Sequence, residues 1–310
     1  MNAEPFASIP PRSPVALIDL VETQTPEASR AFVTQASQLA GEVGGRRMLA
    51  NEAIAPMIVP DERVPKADQA IRLLLVTQYP SGQAGQAALS RRKAWGAEFS
   101  SEKVQTHAAR PVARIESLFG RTLPHTLGLL GRKSVPQIDD AEKLEALIEA
   151  SLILGEQPDE VRWSALAERA GNRPIWMLNF LEFAKTAAYV EDGQGIAPSD
   201  PISGARAYRR YGTGMISSLA AVGGRVEWSG YALGQLGGRD DGEWHQVAIA
   251  VYPSPAAMMT MLALPKYRAA HVHRAAALTR TRLLATQPMA GLTDGIQRAH
   301  STPVDGHDVG

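Results

Sequence analysis

Three short segments occur twice in this chain, in the same order. Residues 14–22 (PVALIDLVE) match 174–182 (PIWMLNFLE), residues 43–46 (VGGR) match 222–225 (VGGR), and residues 79–81 (YPS) match 252–254 (YPS). The extra residues of the second copy fall between its first strand and its first helix, where a surface loop absorbs insertions. Any one pair could be chance. Three ordered pairs at comparable spacing argue for a duplicated unit, with a worn copy first and a better-preserved copy second.

Periodicity fills in each copy. Residues 15–21 are a short apolar run, read as a buried strand. Thr25 and Pro26 then offer an N-cap and a first-turn proline. Phe32, Ala36, Leu39 and Val43 mark one buried face of a helix over residues 26–43, which Gly44 and Gly45 end. Strands are predicted at 46–55 and 71–79, and a helical stretch at 83–106. The second copy reads as strand 175–183, helix 205–222, strands 225–236 and 245–252, helical turns 255–278 interrupted at Pro265, and a last strand at 280–286.

The order strand–helix–strand–strand–helix–strand is that of the ferredoxin-like split β-α-β unit. Its antiparallel sheet carries helices on one face only, so the other apolar face needs a cover. Two tandem copies supply it, sheet against sheet. The expected fold is therefore α+β, two ferredoxin-like βαββαβ units in a fused pseudo-dimeric α/β barrel. The expected divisions are a tail at 1–13, a degenerate repeat at 14–110, a helical connector at 111–173, a preserved repeat at 174–286 and a C-terminal tail at 287–310.

Composition bounds the chemistry. Lys and Arg number 32 against 32 Asp and Glu, so there is no basic field for general nucleic-acid binding. Cysteine is absent, which excludes disulfides, thiolate catalysis and zinc-cysteine sites. The first residues lack a basic segment followed by an apolar block, and no apolar run reaches the ~18–20 residues of a membrane span. A cytoplasmic protein without membrane partners is the expectation. No Gly-x-Gly-x-x-Gly, phosphate-binding Gly-Lys-Ser/Thr or Gly-x-Ser-x-Gly pattern occurs, which argues against nucleotide and serine-hydrolase chemistry.

Residues 177–179 (MLN), 207–212 (AYRRYG), 223–230 (GGRVEWSG), 243–245 (EWH), 252–254 (YPS), 267–268 (YR), 271–276 (HVHRAA) and 282–283 (RL) resemble an uncharacterised bacterial family of the dimeric α/β-barrel superfamily. The resemblance covers residues 174–286 and survives in the first copy only at the three landmarks. His245 stands where the family pattern more often has Asp. The superfamily includes cofactor-free monooxygenases, muconolactone-type isomerases, polyketide-shaping enzymes, haem enzymes such as chlorite dismutases, and small binding or stress proteins. The resemblance thus implies a pocket between sheet and helices of each unit, not a reaction.

Within that frame the candidate residues can be named. Asn179 is a polar side chain inside an apolar strand, and Asp19 is its N-terminal counterpart; each needs a partner if buried. His271 and His273, two apart on a helix, face different sides and so form no helical metal pair; either could act as an acid or base near neutral pH. No metal motif is present. Tyr208, Tyr211, Trp228, Trp244, Tyr252 and Tyr267 sit on elements expected to wall the pocket, and Arg282 could pair an anionic group or stay at an edge. The first copy's equivalent of the His-rich segment, residues 96–100, has neither histidine, so the N-terminal copy is expected to cover the sheet while the C-terminal copy keeps the site.

The function expected is a small-molecule enzyme without a nucleotide cofactor: an acid/base isomerase, lyase or cofactor-free oxygenase acting on a hydrophobic or aromatic metabolite. The alternatives are a non-catalytic binding or stress-related barrel, and a haem enzyme. The halves pair within one chain, with further homodimerisation left open.

Overall fold

The computed structural model describes residues 12–58, 70–92, 94–95, 103–112, 133–152, 158–190, 200–238 and 242–290, with Phe6, residues 9–10 and Phe99 beside them. Further readings of the sequence, a polar loop at 60–68, a helix at 112–119 and a polar insert at 191–204, lie wholly or mostly outside the described residues, as do residues 96–98 and the tail beyond 290.

The elements in chain order are β1 (Val15–Glu22), α1 (Pro26–Glu42), β2 (Arg46–Ile58), β3 (Ile71–Tyr79), α2 (Gly82–Arg92) and β4 (Val104–Pro111). They continue with α3 (Ala141–Ser151), α4 (Glu160–Ala170), β5 (Ile175–Phe183), α5 (Gly204–Ala221), β6 (Arg225–Gly237), β7 (Gln246–Tyr252), α6 (Pro255–Ala263), α7 (Pro265–Ala277) and β8 (Leu278–Pro288). The eight strands close into one antiparallel barrel in the order β1-β3-β2-β8-β5-β7-β6-β4. Each half has its fourth, first, third and second strands side by side, and the halves join through β2–β8 and β4–β6.

The repeated landmarks each do a structural task twice. Val43 and Val222 are the C-caps of α1 and α5, and Gly44 (φ 74°) and Gly223 (φ 77°) follow them in the left-handed region. Gly45 N–H then donates to the Ala40 carbonyl (2.7 Å) and Gly224 N–H to that of Leu219 (2.8 Å), the Schellman closure of a helix end. A Cβ at Gly45 would meet the Gln78 carbonyl and the Tyr79 ring, and one at Gly224 the Val251 carbonyl and Leu219. The second glycine therefore lets the helix end sit against the neighbouring strand. In the third landmark, Ser81 and Ser254 accept from the backbone N–H of Ala84 and Ala257, both at 3.2 Å, and so start the next helix.

Strand alternation separates two cores. Ala16, Ile18 and Leu20 of β1 and Trp176, Leu178 and Phe180 of β5 point inward, into a cluster with residues from every strand and none from a helix. Ile175 and Met177 point outward, under α3 to α7. Trp163 and Leu166 of α4 are fully buried there, and Asp140 caps α3 by accepting from Lys143 N–H at 2.8 Å. These two helices pack on the barrel itself, α3 against α6 and α4 against β2.

One expectation needs correction. The helix at 83–106 stops at Arg92, and Val104–Pro111 is a strand. Its run of Thr106, His107, Ala108 and Ala109 has no apolar alternation to announce it; pairing on both sides, with β1 and β6, holds it extended. Within the expected tail at 1–13, Phe6 and Ile9 are buried against α2. No helix among the described residues is long and apolar enough to cross a membrane.

Candidate functional site

On the helix-facing side of β5 and β7 an enclosure forms from residues set by helical spacing. Tyr208 and Tyr211 are three apart on α5. Tyr267, His271 and Arg274 follow at four and three residues on α7, which brings them to one face. Tyr252 closes the end of β7. Their rings meet in sequence: Tyr208–Tyr211 at 5.2 Å, Tyr211–Tyr267 at 6.1 Å and Tyr267–His271 at 5.8 Å between centroids. The Tyr211 hydroxyl donates to that of Tyr267 at 3.5 Å. Met177, Met258, Met259 and Met261 supply soft apolar walls.

Burial sets the electrostatics. It raises the Tyr208 phenol to about 12, opposed by the Arg274 charge, and raises Tyr211, Tyr252 and Tyr267 above their ordinary value. All four stay neutral near pH 7 and can donate hydrogen bonds. His271 is 4% exposed, and burial followed by the nearby Arg274 cation pushes its pKa down to about 4. It is thus a neutral imidazole near pH 7, able to take a proton. Arg274 Nη2 donates to Thr281 Oγ1 at 3.3 Å. The enclosure therefore combines a proton acceptor, several phenolic donors and one buried cation.

The sequence candidates divide. Tyr208, Tyr211, Tyr252, Tyr267 and His271 come together in this cluster. Asn179 lies on the same sheet face, with its Nδ2 donating to the Met177 carbonyl on its own strand at 3.0 Å. His273 turns away to Tyr189, whose hydroxyl lies 2.8 Å from Nδ1; burial, then Arg210, lowers its pKa. Trp228, Trp244 and Arg282 belong elsewhere, a correction. They lie inside the barrel, where Arg282 Nη1 donates to Gln105 Oε1 at 3.3 Å and sits 5.9 Å from the Phe180 ring and 6.0 Å from that of Trp244. Strand alternation assigns Arg282 there, because Leu283 faces the helices. Sequence reasoning missed Arg274, although its spacing from Tyr267 and His271 was a readable signal.

Asp19 has partners of its own, in the N-terminal half. Its carboxylate accepts twice from Arg92 Nη1 and once from Thr106 Oγ1, each at 2.8 Å. Among the described residues no group of three or more His, Asp or Glu is placed to hold a metal ion.

No protein-family model matches the chain, and no curated protein matches it. Among solved structures it is similar to a Rhodopseudomonas palustris protein of unknown function, at 34% identity over 43% of this chain and 95% of that one, with a TM-score of 0.38. It is also similar to an anthrone oxidase-like protein, at 12% identity over 91% and 94% of the chains (TM-score 0.44). A variant chlorite dismutase from Candidatus Nitrospira defluvii matches at 8% identity over 93% and 96% (TM-score 0.41). By its own geometry the chain is an α+β protein built on a closed eight-stranded antiparallel barrel, with a buried phenol and imidazole cluster under the helices of its C-terminal half.

Proposed function

We propose that this chain is a duplicated pair of ferredoxin-like units whose C-terminal unit is an enzyme without a nucleotide cofactor, acting by proton transfer on a hydrophobic or aromatic small molecule. The observation that supports it is the run of ring contacts that joins a neutral His271 to Tyr267, Tyr211 and Tyr208, in one apolar cluster with Tyr252. His271 accepts a proton from the substrate, and the electron pair moves onto a substrate oxygen. The phenols donate to that oxygen, and the Arg274 charge further favours the anion. Return of the proton at another atom gives isomerisation, loss of a leaving group gives a lyase step, and transfer of the anion's electrons to dioxygen opens an oxygenase step. A weak base suffices only if the anion is held strongly, which is the task left to the phenols.

A second reading has one observation in its favour. His271, Tyr211, Tyr252, Tyr267 and Arg274 are each 7% exposed or less, the burial of a packed core. On that reading the cluster is structural and the barrel holds a metabolite without converting it. Mass spectrometry of the purified protein under native conditions, followed by turnover assays on the recovered ligand and its relatives, separates the two. Turnover lost in His271→Gln supports the enzyme; a ligand bound and never converted supports the binding protein. A Soret band in the purified protein would redirect the assignment to haem.

A further inference from the structure

The two VGGR segments hold the same arginine in different company. Arg46 and Arg225 each follow the paired glycines and open a strand. Each strand shifts register just beyond, β2 between Arg47 and Leu49 and β6 between Val226 and Trp228. Arg225 is neutralised by the residue two positions on: its Nε donates to Glu227 Oε2 at 2.8 Å. At that position the first half has Met48, so Arg46 lacks this counterion. The C-terminal ends of β4 and β8 differ in the same sense. Arg110 and Pro111 close β4 where Gln287 and Pro288 close β8. Gln287 is neutral and donates to the Pro174 carbonyl at 3.1 Å. Arg110 is exposed, with its Cζ 5.6 Å from the Tyr231 ring. Among the described residues neither Arg46 nor Arg110 meets a carboxylate.

Both arginines stand on the wall of one open cavity of about 800 Å³, at the rim of the barrel where β1 and β2 begin and β3 and β4 end. Among the described residues that wall has no acidic side chain, while Pro14, Pro80 and Pro111 give it apolar surface. Two cations without a counterion favour negative charge there. Their spacing selects its form. Arg46 lies on β2 and Arg110 on β4, with β3 and β1 between them. Three inter-strand steps separate the two backbones by about 14 Å along the sheet. Arg110 also leans toward Tyr231 on β6, the strand beyond β4 and away from Arg46. A compact anion such as phosphate therefore reaches one charge at a time, whereas a molecule with an acidic group at each end reaches both. An exposed arginine binds one carboxylate weakly, and two linked carboxylates gain from each other. We infer that Arg46 and Arg110 bind the two ends of a small dicarboxylate, its hydrocarbon middle against the prolines, at a site separate from the His271 enclosure.

The test uses adipate as the probe on the full chain, by isothermal titration at low salt. One saturable site in the millimolar range or tighter is expected, weakening as salt is added. Hexanoate, with one carboxylate, and inorganic phosphate should each bind roughly fivefold or more weakly than adipate. Arg46→Gln and Arg110→Gln should each lower adipate affinity roughly fivefold. Both side chains are exposed, so these two variants should keep the native melting temperature. Met48→Glu, which gives Arg46 the neighbour that Arg225 has, should lower affinity as much as Arg46→Gln. Tyr267→Phe, in the other half, should leave it unchanged, so the enzyme reading is decided separately. The inference is overturned by absence of saturable adipate binding, or by affinity unchanged in any of Arg46→Gln, Arg110→Gln and Met48→Glu. It is overturned equally by hexanoate or phosphate binding as tightly as adipate, or by loss of binding in Tyr267→Phe.

Discussion

Arg92 Nη1 lies 2.8 Å from both carboxylate oxygens of Asp19, on opposite sides of the boundary between α2 and the sheet. Both side chains are nearly inaccessible, at 5% and 0% exposure. A pair buried this deeply is costly to break and need not be stabilising as a pair. Arg92→Leu alone should therefore lower unfolding free energy by about 3–5 kcal/mol, and adding Asp19→Leu should recover most of it. Urea unfolding of the single and double variants checks this, with the denaturant slope unchanged if the fold is intact.

The paired glycines predict an order of effects. Gly44→Ala puts a Cβ in ordinary contact with the Pro80 ring (3.8 Å) at positive φ and should cost about 1 kcal/mol. Gly45→Ala brings the Cβ against the Gln78 carbonyl at 2.9 Å and should cost more, roughly 2–3 kcal/mol. The same order is expected for Gly223→Ala and Gly224→Ala, where the obstructing carbonyl belongs to Val251. Thermal melts of the four variants read both pairs; a reversed order in either half would contradict the account of the VGGR landmark.

His271 makes stability depend on pH in a defined window. Its folded pKa of about 4 lies below the ordinary histidine value near 6.5, so the unfolded chain binds the extra proton between these values. The contribution is full above about pH 6.5, falls as pH drops, and is gone below about pH 4, a change of about 3 kcal/mol. His271→Gln should flatten that part of the stability curve. A difference between the two proteins that does not vary from pH 7 to 4 would contradict the burial of a neutral imidazole.

How far the sequence carried these conclusions depends on the element. β3 and β5 read correctly at both ends because each is a continuous apolar run stopped by proline or turn residues. The Pro265 break between α6 and α7 and the N-cap Thr25 were equally plain. β4 was not, since Thr106 and His107 are held in a strand by partners distant in sequence. The tyrosines were placed on elements expected to wall a pocket, but His271 and His273 stayed alternatives, since only the fold shows His273 turned to Tyr189. Trp228 and Arg282 were misassigned because an aromatic or basic residue on a strand fits either sheet face until the register is known, and Trp244 because it enters the barrel from the segment before β7. The Asp19 site was half visible: the sequence demanded a partner for the carboxylate but gave no sign that Arg92, 73 residues on, would reach it.

The phenols should act on ligand rather than on fold. The Tyr211–Tyr267 contact, at 3.5 Å, is at the outer limit of a hydrogen bond. Tyr211→Phe and Tyr267→Phe should each change stability by less than about 1 kcal/mol. Against the metabolite recovered from the protein they should slow turnover by roughly tenfold to a hundredfold. Melting curves run beside the assays distinguish this from simple unfolding.

The most direct test is the pH profile of kcat/KM for the recovered substrate, in the native protein and in His271→Gln. The account predicts an acidic limb near pH 4, where His271 gains its proton, and a loss of roughly a hundredfold or more in the variant at neutral pH. A native rate that persists below pH 4, or a variant as active as the native protein, would contradict the role of His271 as the proton acceptor.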